Sequence, residues 1–259
     1  MRYSLFAGGK RIRPLLCLEA AAAVGDSTPG IETPACALEM IHTYSLIHDD
    51  LPALDNDDYR RGKLTCHKVF GEAIAILAGD ALLTRAFQVV AEMESLEAAR
   101  RIAMVAELAQ AAGTVDGMIG GQVADLEAEG CAVSEQHLHY IHRSKTAALI
   151  RAAVRVGGIF AGAAPEQHLA LSGFGEQIGL AFQIVDDVLD VVASSDGLGK
   201  TAGKDARQQK ATFPALYGVE RSRQMAGQAR QRALEALRPF GERRRRLEQM
   251  ASLIVERER

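Results

Sequence analysis

Helical periodicity runs through almost the whole of this 259-residue chain and constrains its fold more than any other feature. Apolar residues recur at steps of three and four, as at Ala37, Leu38, Ile41 and Tyr44, and this spacing places them on one face of a helix. The sequence contains no alternating strand pattern of useful length, no short repeat and no linker. We therefore predict an all-α fold with one helical domain over residues 1–259, with two smaller bundles as the alternative.

The positions of the helices follow from the apolar runs and from the Gly and Pro residues between them. Thr33 and Pro34 are typical of an N-cap and a first turn, and they predict a helix that reaches His48. Further helices are expected over residues 17–24, 73–93, 96–112, 121–129, 134–161 and 165–192, and again at the end of the chain. Loops are expected over 113–121 and 194–210, which are rich in glycine.

Composition and charge exclude several classes of protein. The net charge is −3, whereas a general nucleic-acid binder is usually basic. The four cysteines carry no CxxC pair, which favours free thiols in a reducing cytoplasm. The uncharged stretch over residues 73–79 is far shorter than the ~20 apolar residues of a membrane span. We therefore expect a cytoplasmic protein without a membrane span and without a nucleic-acid partner.

Two clusters of aspartates are the first candidates for chemistry. Each has an adjacent pair followed by a third residue: Asp49, Asp50 and Asp55, then Asp186, Asp187 and Asp190. Pro52 disfavours helix at the residue before it, so we expect the helix to end there and a turn to bring the third aspartate of the first cluster back. Carboxylates beside apolar runs are costly unless they are paired or bind a metal, and oxygen ligands suit Mg²⁺ held jointly with a phosphate. A solvated acidic helix end is the alternative for the first cluster taken alone.

Basic residues form a third group. Lys10 and Arg13 stand three apart in GGKRIRP, on one face of a helix start. The other candidates are Arg60, Arg61, Lys145, Lys200, Lys204 and Lys210. Each alone is typical of a solvated surface charge, but together with the aspartates they indicate a site for a highly charged anion. Diphosphate fits this pattern better than a carboxylate.

The histidines point away from a redox metal centre. Glu39 and His42 have the Glu-x-x-His spacing of di-iron bundles, but such bundles need two copies and the sequence has one. His137, His139 and His142 are expected on a polar helix face.

Six segments in order resemble the trans-isoprenyl diphosphate synthases: GGKRIRP, HTYSLIHDDLPALDNDDYRRG, GMIGGQVADL, SKTAALI, GLAFQIVDDVLDV and GKDARQQKATFP. The resemblance covers about residues 7–220, and the four residues between Asp50 and Asp55 are similar to bacterial enzymes that make farnesyl diphosphate. It implies the isoprenoid synthase fold, a helical bundle around a deep central cavity, and a homodimer. It also implies condensation of isopentenyl diphosphate with dimethylallyl or geranyl diphosphate.

The resemblance further implies roles for individual residues. Three Mg²⁺ ions would be held by the six aspartates of the two clusters. The allylic diphosphate would be bound by Arg60, Lys145, Lys200 and Lys210. Isopentenyl diphosphate would be bound by Lys10, Arg13, His42 and Arg61. Oxygens of Thr146 and Gln183 would face the carbocation, with Gln122 and Asp125 nearby. The implied catalytic residues are thus Arg60, Lys145, Thr146, Gln183 and Lys200.

Product length is predicted from the helix before the first cluster. Tyr44 lies five residues before Asp49, which is about 7.5 Å deeper along a helix. Its ring would close the floor of the prenyl cavity, while the small Ser45 leaves the shallower part open. We therefore predict a C15 product, with a C20 product, that of a geranylgeranyl diphosphate synthase, as the alternative. Tyr44 as an ordinary core residue is the other interpretation.

Two other classes of protein are weighed against a condensing enzyme. A terpene cyclase binds no second diphosphate, so it would leave Lys10, Arg13 and Arg61 without a purpose. A non-catalytic helical partner subunit would be indicated by loss of an aspartate cluster, and both clusters are complete. Only seven residues precede GGKRIRP, so we expect the N-terminal helix of the family to be missing.

Overall fold

Helices account for almost every regular element of the structure, a computed structural model that describes residues 1–25, 29–131, 133–195 and 212–256. The helices are α1 (Arg2–Leu5), α2 (Ile12–Val24), α3 (Glu32–Asp49), α4 (Cys66–Phe70), α5 (Glu72–Ala91), α6 (Ala98–Ala112), α7 (Met118–Ala128), α8 (Glu135–Ile141), α9 (Ala148–Ala161), α10 (Pro165–Ser195), α11 (Phe213–Tyr217), α12 (Val219–Ala236) and α13 (Arg245–Val255). A π-helical turn, His142–Ala147, joins α8 to α9, and a 3₁₀ segment, Arg238–Arg244, joins α12 to α13. With 78% of the structure helical, the predicted all-α class is confirmed.

The predicted helices match the observed ones closely, with two informative differences. The expected helix over 134–161 is interrupted by the π-helical turn, whose single extra residue an apolar pattern does not reveal. Helix α7 begins at Met118, inside a segment that we expected to be loop, and so takes two glycines into its first turns. One of them, Gly121, is required there, because a Cβ at that position would lie 2.2 Å from the backbone nitrogen of Lys145.

The long helix α10 organises the packing. It contacts α9 and α12 along its length, while α9 also packs on α2 and α6, and α3 packs on α5. The main core runs through these helices and is built from Ala, Leu, Ile and Val side chains. The π-helical turn is held between α7 and α10, and Gly179 of α10 comes so near that a Cβ would lie 2.5 Å from the Cβ of Ala147.

A two-stranded hairpin after α3 carries two of the predicted arginines. Strands β1 (Tyr59–Arg60) and β2 (Lys63–Leu64) are antiparallel, with Arg60 opposite Lys63. Both residues of the connecting turn have positive φ, 53° at Arg61 and 75° at Gly62, as a tight hairpin turn requires. The turn therefore presents the side chain of Arg61 away from the hairpin ladder, and the Arg61 guanidinium donates to the carbonyl of Gly8.

Helix α5 is long and apolar enough to cross a membrane by length and composition, with a mean hydropathy of 1.6 over its most apolar window. The uncharged stretch over residues 73–79 is shorter than this apolar helix, because the helix continues past the charged residues Asp80 and Arg85. Core helices of soluble proteins meet the same criterion, and α5 packs along α3. Only a third of that window is buried, so α5 keeps an exposed apolar face. The expected lack of a membrane span stays a prediction.

Candidate functional site

A cavity of about 540 Å³ brings most of the predicted site residues together. It lies between α2, α3, α7, the π-helical turn and α10, with the hairpin at its edge. The predicted residues that line it are Arg13, His42, Tyr44, Ser45, Asp49, Arg60, Arg61, Gln122, Lys145, Thr146, Gln183 and Asp186. Lys200, Lys204 and Lys210 lie outside the described residues.

The two members of each aspartate pair face different ways. Asp49 and Asp186 line the cavity. Their neighbours Asp50 and Asp187 are 3% and 2% exposed and lie behind the cavity wall. Adjacent residues of a helix leave its axis about 100° apart, so the two carboxylates of a pair start in different directions. Each cluster therefore places one carboxylate of its pair at the cavity.

The turn predicted after the first pair is present. The backbone nitrogen of Asp55 donates to the carbonyl of Asp49 at 2.8 Å, and that of Asp57 donates to the carbonyl of Asp50 at 3.2 Å. These bonds fold the chain back on the end of α3, as the proline in this segment predicts. Asp55 and Asp190 are half-buried and do not line the cavity.

Asp50 is held by an arginine. Arg60 donates to Asp50 Oδ1 from Nε at 2.6 Å, and its Nη2 lies 2.6 Å from the same oxygen. Burial raises the pKa of Asp50 to about 6, and the charge and hydrogen bond of Arg60 act against that rise. A second carboxylate, Asp57, lies 3.6 Å from Arg60 Nη2. Arg60 thus ties the first aspartate cluster to the hairpin while still lining the cavity.

Lys145, Thr146 and Gln183 line the cavity from the π-helical turn and from α10. Lys145 Nζ donates to Asp125 Oδ2 at 2.5 Å. The hydroxyl of Thr146 donates to Gln183 Oε1 at 2.7 Å, and Gln183 Nε2 donates to Asp187 Oδ1 at 2.9 Å. The predicted closeness of Thr146 and Gln183 is therefore present, and Asp125 positions the lysine.

The cationic end of the cavity surrounds a neutral histidine. Burial lowers the pKa of Arg13 to about 10, and its Nε has no hydrogen-bond partner. Burial first, and then the charges of Arg13, Arg61, Arg60 and Arg11, hold the pKa of His42 well below its usual range. Several arginines that depress one imidazole create a positive potential suited to an anion. Lys10 is exposed and does not line this cavity.

The two members of the Glu-x-x-His pair have different surroundings. Glu39 is buried and forms an ion pair with Arg11, the left-handed N-cap residue of α2. Glu39 therefore anchors the start of the helix that carries Arg13. His42, one turn further, lines the cavity.

An apolar wall on α7 was missed by the sequence predictions. It consists of Met118, Ile119, Val123 and Leu126, joined by Phe182 of α10. The four-residue step from Ile119 to Val123 marks one helix face, but the step alone does not show whether that face meets a cavity or a neighbouring helix.

Tyr44 and Ser45 both line the cavity, as the chain-length prediction requires. Tyr44 is 5% exposed, and its hydroxyl is buried without a hydrogen-bond partner. Burial, and then the charge of Asp49, raise the pKa of Tyr44 to about 12. The ring packs edge-on against His48 at 5.7 Å between centroids. Tyr44 is thus both a core residue and a wall of the cavity.

The prediction that His142 lies on a polar helix face is wrong. Its side chain is 4% exposed, and burial lowers its pKa to about 3, so the imidazole is neutral. The ring packs on Phe213 with 5.2 Å between centroids. The reason is its register on α8, because His142 stands four residues after the fully buried Leu138 and so lies on the same face of that helix.

The carboxylates that line the cavity are too few to hold Mg²⁺ alone, but they suit Mg²⁺ that is also bound by phosphate oxygens. Within residues 1–25, 29–131, 133–195 and 212–256, no group of three His, Cys, Asp or Glu side chains is placed to hold a metal ion. Asp49 and Asp186 offer carboxylate oxygens, which are the ligand type that Mg²⁺ takes in proteins alongside phosphate oxygens. The residues present therefore fit Mg²⁺ bound jointly with a diphosphate.

Comparisons by sequence and by structure both relate this chain to prenyl diphosphate synthases. The polyprenyl synthetase family matches residues 1–253. The chain is 52% identical over 222 residues to a farnesyl diphosphate synthase of Geobacillus stearothermophilus, covering 85% of this chain and 74% of the relative. It is 51% identical over 242 residues to a chloroplastic geranylgeranyl pyrophosphate synthase of Catharanthus roseus, covering 93% and 68%. An apo structure of an FPP/GFPP synthase from Zymomonas mobilis, 37% identical, superimposes with a TM-score of 0.87 and covers 98% of this chain and 86% of that one.

Proposed function

Because this chain belongs to the polyprenyl synthetase family and is a trans-prenyltransferase, we propose that it condenses isopentenyl diphosphate with dimethylallyl and then geranyl diphosphate to form farnesyl diphosphate. The observation that carries the proposal is the single cavity that joins Asp49 and Asp186, an arginine-rich end and an apolar wall. Such a cavity suits a substrate with a highly charged head and a hydrocarbon tail. The terpene cyclase alternative leaves the arginine-rich end without a ligand, and the relatives of the chain are named as diphosphate synthases.

The proposed roles follow from where each side chain lies. Mg²⁺, which members of this family generally use, would be held by the aspartates that reach the cavity, Asp49 and Asp186, with Asp55 and Asp190 of the same clusters. When bound, the metal neutralises charge that develops on the leaving diphosphate. Three ions per site is our proposal from the family resemblance.

Ionisation of the allylic substrate breaks a C–O bond and leaves a diphosphate anion and a carbocation. Arg60 and Lys145 are placed to bind the leaving diphosphate and to stabilise its growing negative charge. The hydroxyl oxygen of Thr146 and the carbonyl oxygen of Gln183 supply dipoles for the cation. The apolar wall of α7 excludes water, which would quench the cation.

The second substrate is assigned to the cationic end. Arg13, Arg61 and the neutral His42 would bind isopentenyl diphosphate, with Lys10 reaching in from the surface. The double bond of this substrate attacks the cation, and loss of one proton then restores an alkene. No strong base faces the cavity among the described residues, so the departing diphosphate is assigned to take that proton.

Product length is proposed as C15, with C20 as the alternative. The position of Tyr44 in the cavity wall supports the shorter product. The relatives include both farnesyl and geranylgeranyl diphosphate synthases, so the products must be measured. Incubation with isopentenyl diphosphate and each allylic primer, followed by chromatography of the dephosphorylated products, tests the proposal. Absence of any condensation product would overturn it.

We also propose a cytoplasmic homodimer. All four cysteines are free thiols, in keeping with a reducing compartment. Helix α5 leaves Ile74 and Leu77 more than half exposed, one turn apart on one face, and Ile102 of the adjacent α6 is 69% exposed. Apolar side chains exposed in this way are typical of a protein–protein interface.

A further inference from the structure

A chain of hydrogen bonds, part-buried at the cavity and buried at its far end, leads from the cavity to the start of α11. Thr146 bonds to Gln183, Gln183 bonds to Asp187 Oδ1, and the backbone nitrogen of Phe213 donates to Asp187 Oδ2 at 3.0 Å. Both oxygens of the Asp187 carboxylate thus accept hydrogen bonds from the protein. The adjacent Asp186 lines the cavity, and Asp187 does not.

His142 completes the arrangement from the other side. Its Nε2 lies 3.6 Å from Asp187 Oδ2 without forming a hydrogen bond, and its ring packs on that of Phe213. His142 belongs to the same π-helical turn as Thr146. Three elements, the π-helical turn, α10 and the start of α11, therefore meet at one buried carboxylate.

This carboxylate determines which way the amide of Gln183 faces. The NH₂ group of Gln183 donates to Asp187 Oδ1, and Gln183 Oε1 accepts from the hydroxyl of Thr146. The carbonyl oxygen of Gln183 is then turned towards Thr146 and the cavity. A carbonyl oxygen stabilises a carbocation, whereas an NH₂ group in the same place would repel it.

We infer that Asp187 is a positioning residue, which with His142 and Phe213 fixes the carbonyl oxygen of Gln183 towards the cavity, and that it is not one of the metal ligands predicted from the sequence. The inference rests on the proposed function for its catalytic consequence. It assigns different roles to the two aspartates of the pair: Asp186 faces the metal and diphosphate, and Asp187 orients the amide.

The test is Asp187→Asn, compared with Asp186→Asn. In Asp187→Asn the carbonyl of the new amide still accepts from Phe213, so its NH₂ group faces Gln183 and turns that amide over. We expect kcat to fall about 100-fold, as for a misplaced catalytic group. Binding of Mg²⁺ together with an unreactive allylic thiolodiphosphate, measured by calorimetry, should stay within about twofold of the wild type, since that much is under half a kcal/mol. Asp186→Asn should weaken that binding by at least about tenfold, as loss of a charged contact does.

A double-mutant cycle provides the second readout. If Asp187 acts through Gln183, Asp187→Asn should cause little further loss of kcat in a Gln183→Leu background. His142→Phe keeps the ring packing on Phe213 and should leave metal binding unchanged. Equal loss of metal binding in Asp187→Asn and Asp186→Asn, or additive losses of kcat in the cycle, would overturn the inference. If the wild type forms no condensation product, the proposed function fails, while the calorimetric comparison still tests the role of Asp187.

Discussion

At the scale of single residues, Arg13 gives the most direct test of how the site binds an anion. It lines the cavity with Nε unpartnered, and burial already lowers its pKa to about 10. A guanidinium with a buried, unpartnered nitrogen gains when an anion binds, because the anion can accept the missing hydrogen bond.

We therefore expect Arg13→Ala to raise the KM for isopentenyl diphosphate by about 10- to 100-fold, the value of a charge-assisted contact. The KM for the allylic diphosphate should change little. Steady-state kinetics with each substrate varied in turn checks this. Arg151→Ala is the matched control, because Arg151 lines a different cavity on the other side of the π-helical turn. Equal weakening of both substrates by Arg13→Ala would contradict separate sites.

Tyr44 offers a second test at this scale. Tyr44→Ala removes the ring from the cavity wall and should shift the products from C15 towards C20 and longer. Loss of a large buried ring costs on the order of 3 kcal/mol of folding free energy. Tyr44→Phe is the control: it removes only a hydroxyl that has no hydrogen-bond partner, so it should preserve both product length and stability. An unchanged product distribution in Tyr44→Ala would remove Tyr44 as the floor of the cavity.

At the scale of elements, the π-helical turn depends on two glycines that face it. A Cβ at Gly121 of α7 or at Gly179 of α10 would approach the backbone or a Cβ of this turn within 2.5 Å. These close approaches hold Lys145 and Thr146 at the cavity, between two helices. A regular α-helix over the same residues would turn both side chains to other directions.

Gly121→Ala should therefore push α7 and the turn apart. We expect a loss of about 1–3 kcal/mol of folding free energy from overpacking, together with lower kcat because Lys145 moves. Gly227→Ala is the matched control, since Gly227 lies in α12 with nothing within 4 Å of an added Cβ. That change should stabilise the protein by about 0.5–1 kcal/mol. Thermal unfolding and kcat of both variants decide the matter, and a fully active, stable Gly121→Ala enzyme would show that the close contact is not required.

At the scale of the whole molecule, the exposed face of α5 bears on assembly. The helix is the most membrane-like in the described part of the chain, yet only a third of its apolar window is buried against the protein. A second copy of the chain that covers this face would remove that apolar surface from water, at roughly 25 cal/mol per Å².

Leu77→Asp should convert the proposed dimer to a monomer, because a carboxylate in an apolar interface is left without a partner. Sedimentation velocity over a range of concentrations measures the change. Leu169→Asp is the control, since Leu169 is 73% exposed on α10 and is not part of the α5 face. A wild-type protein that sediments as a monomer would contradict the dimer.

The sequence by itself was sufficient for the helical class, for most helix positions and for most of the polar residues that line the cavity. Local rules suffice there: a period near 3.6 determines the buried face, and proline and glycine mark the ends of helices. Charges of both signs beside apolar runs were enough to indicate a bound anion and a metal.

Only the tertiary structure shows which of those residues line the cavity and which are bound by other protein groups. Asp49 and Asp50 are equivalent in the sequence, as are Asp186 and Asp187, but one of each pair reaches the cavity and the other is buried against protein donors. The contact of His142 with Phe213, the apolar wall of α7 and the partners of Asp187 depend on residues distant in sequence. A sequence pattern determines which face of a helix is buried, whereas only the packed structure determines which neighbour or cavity that face meets.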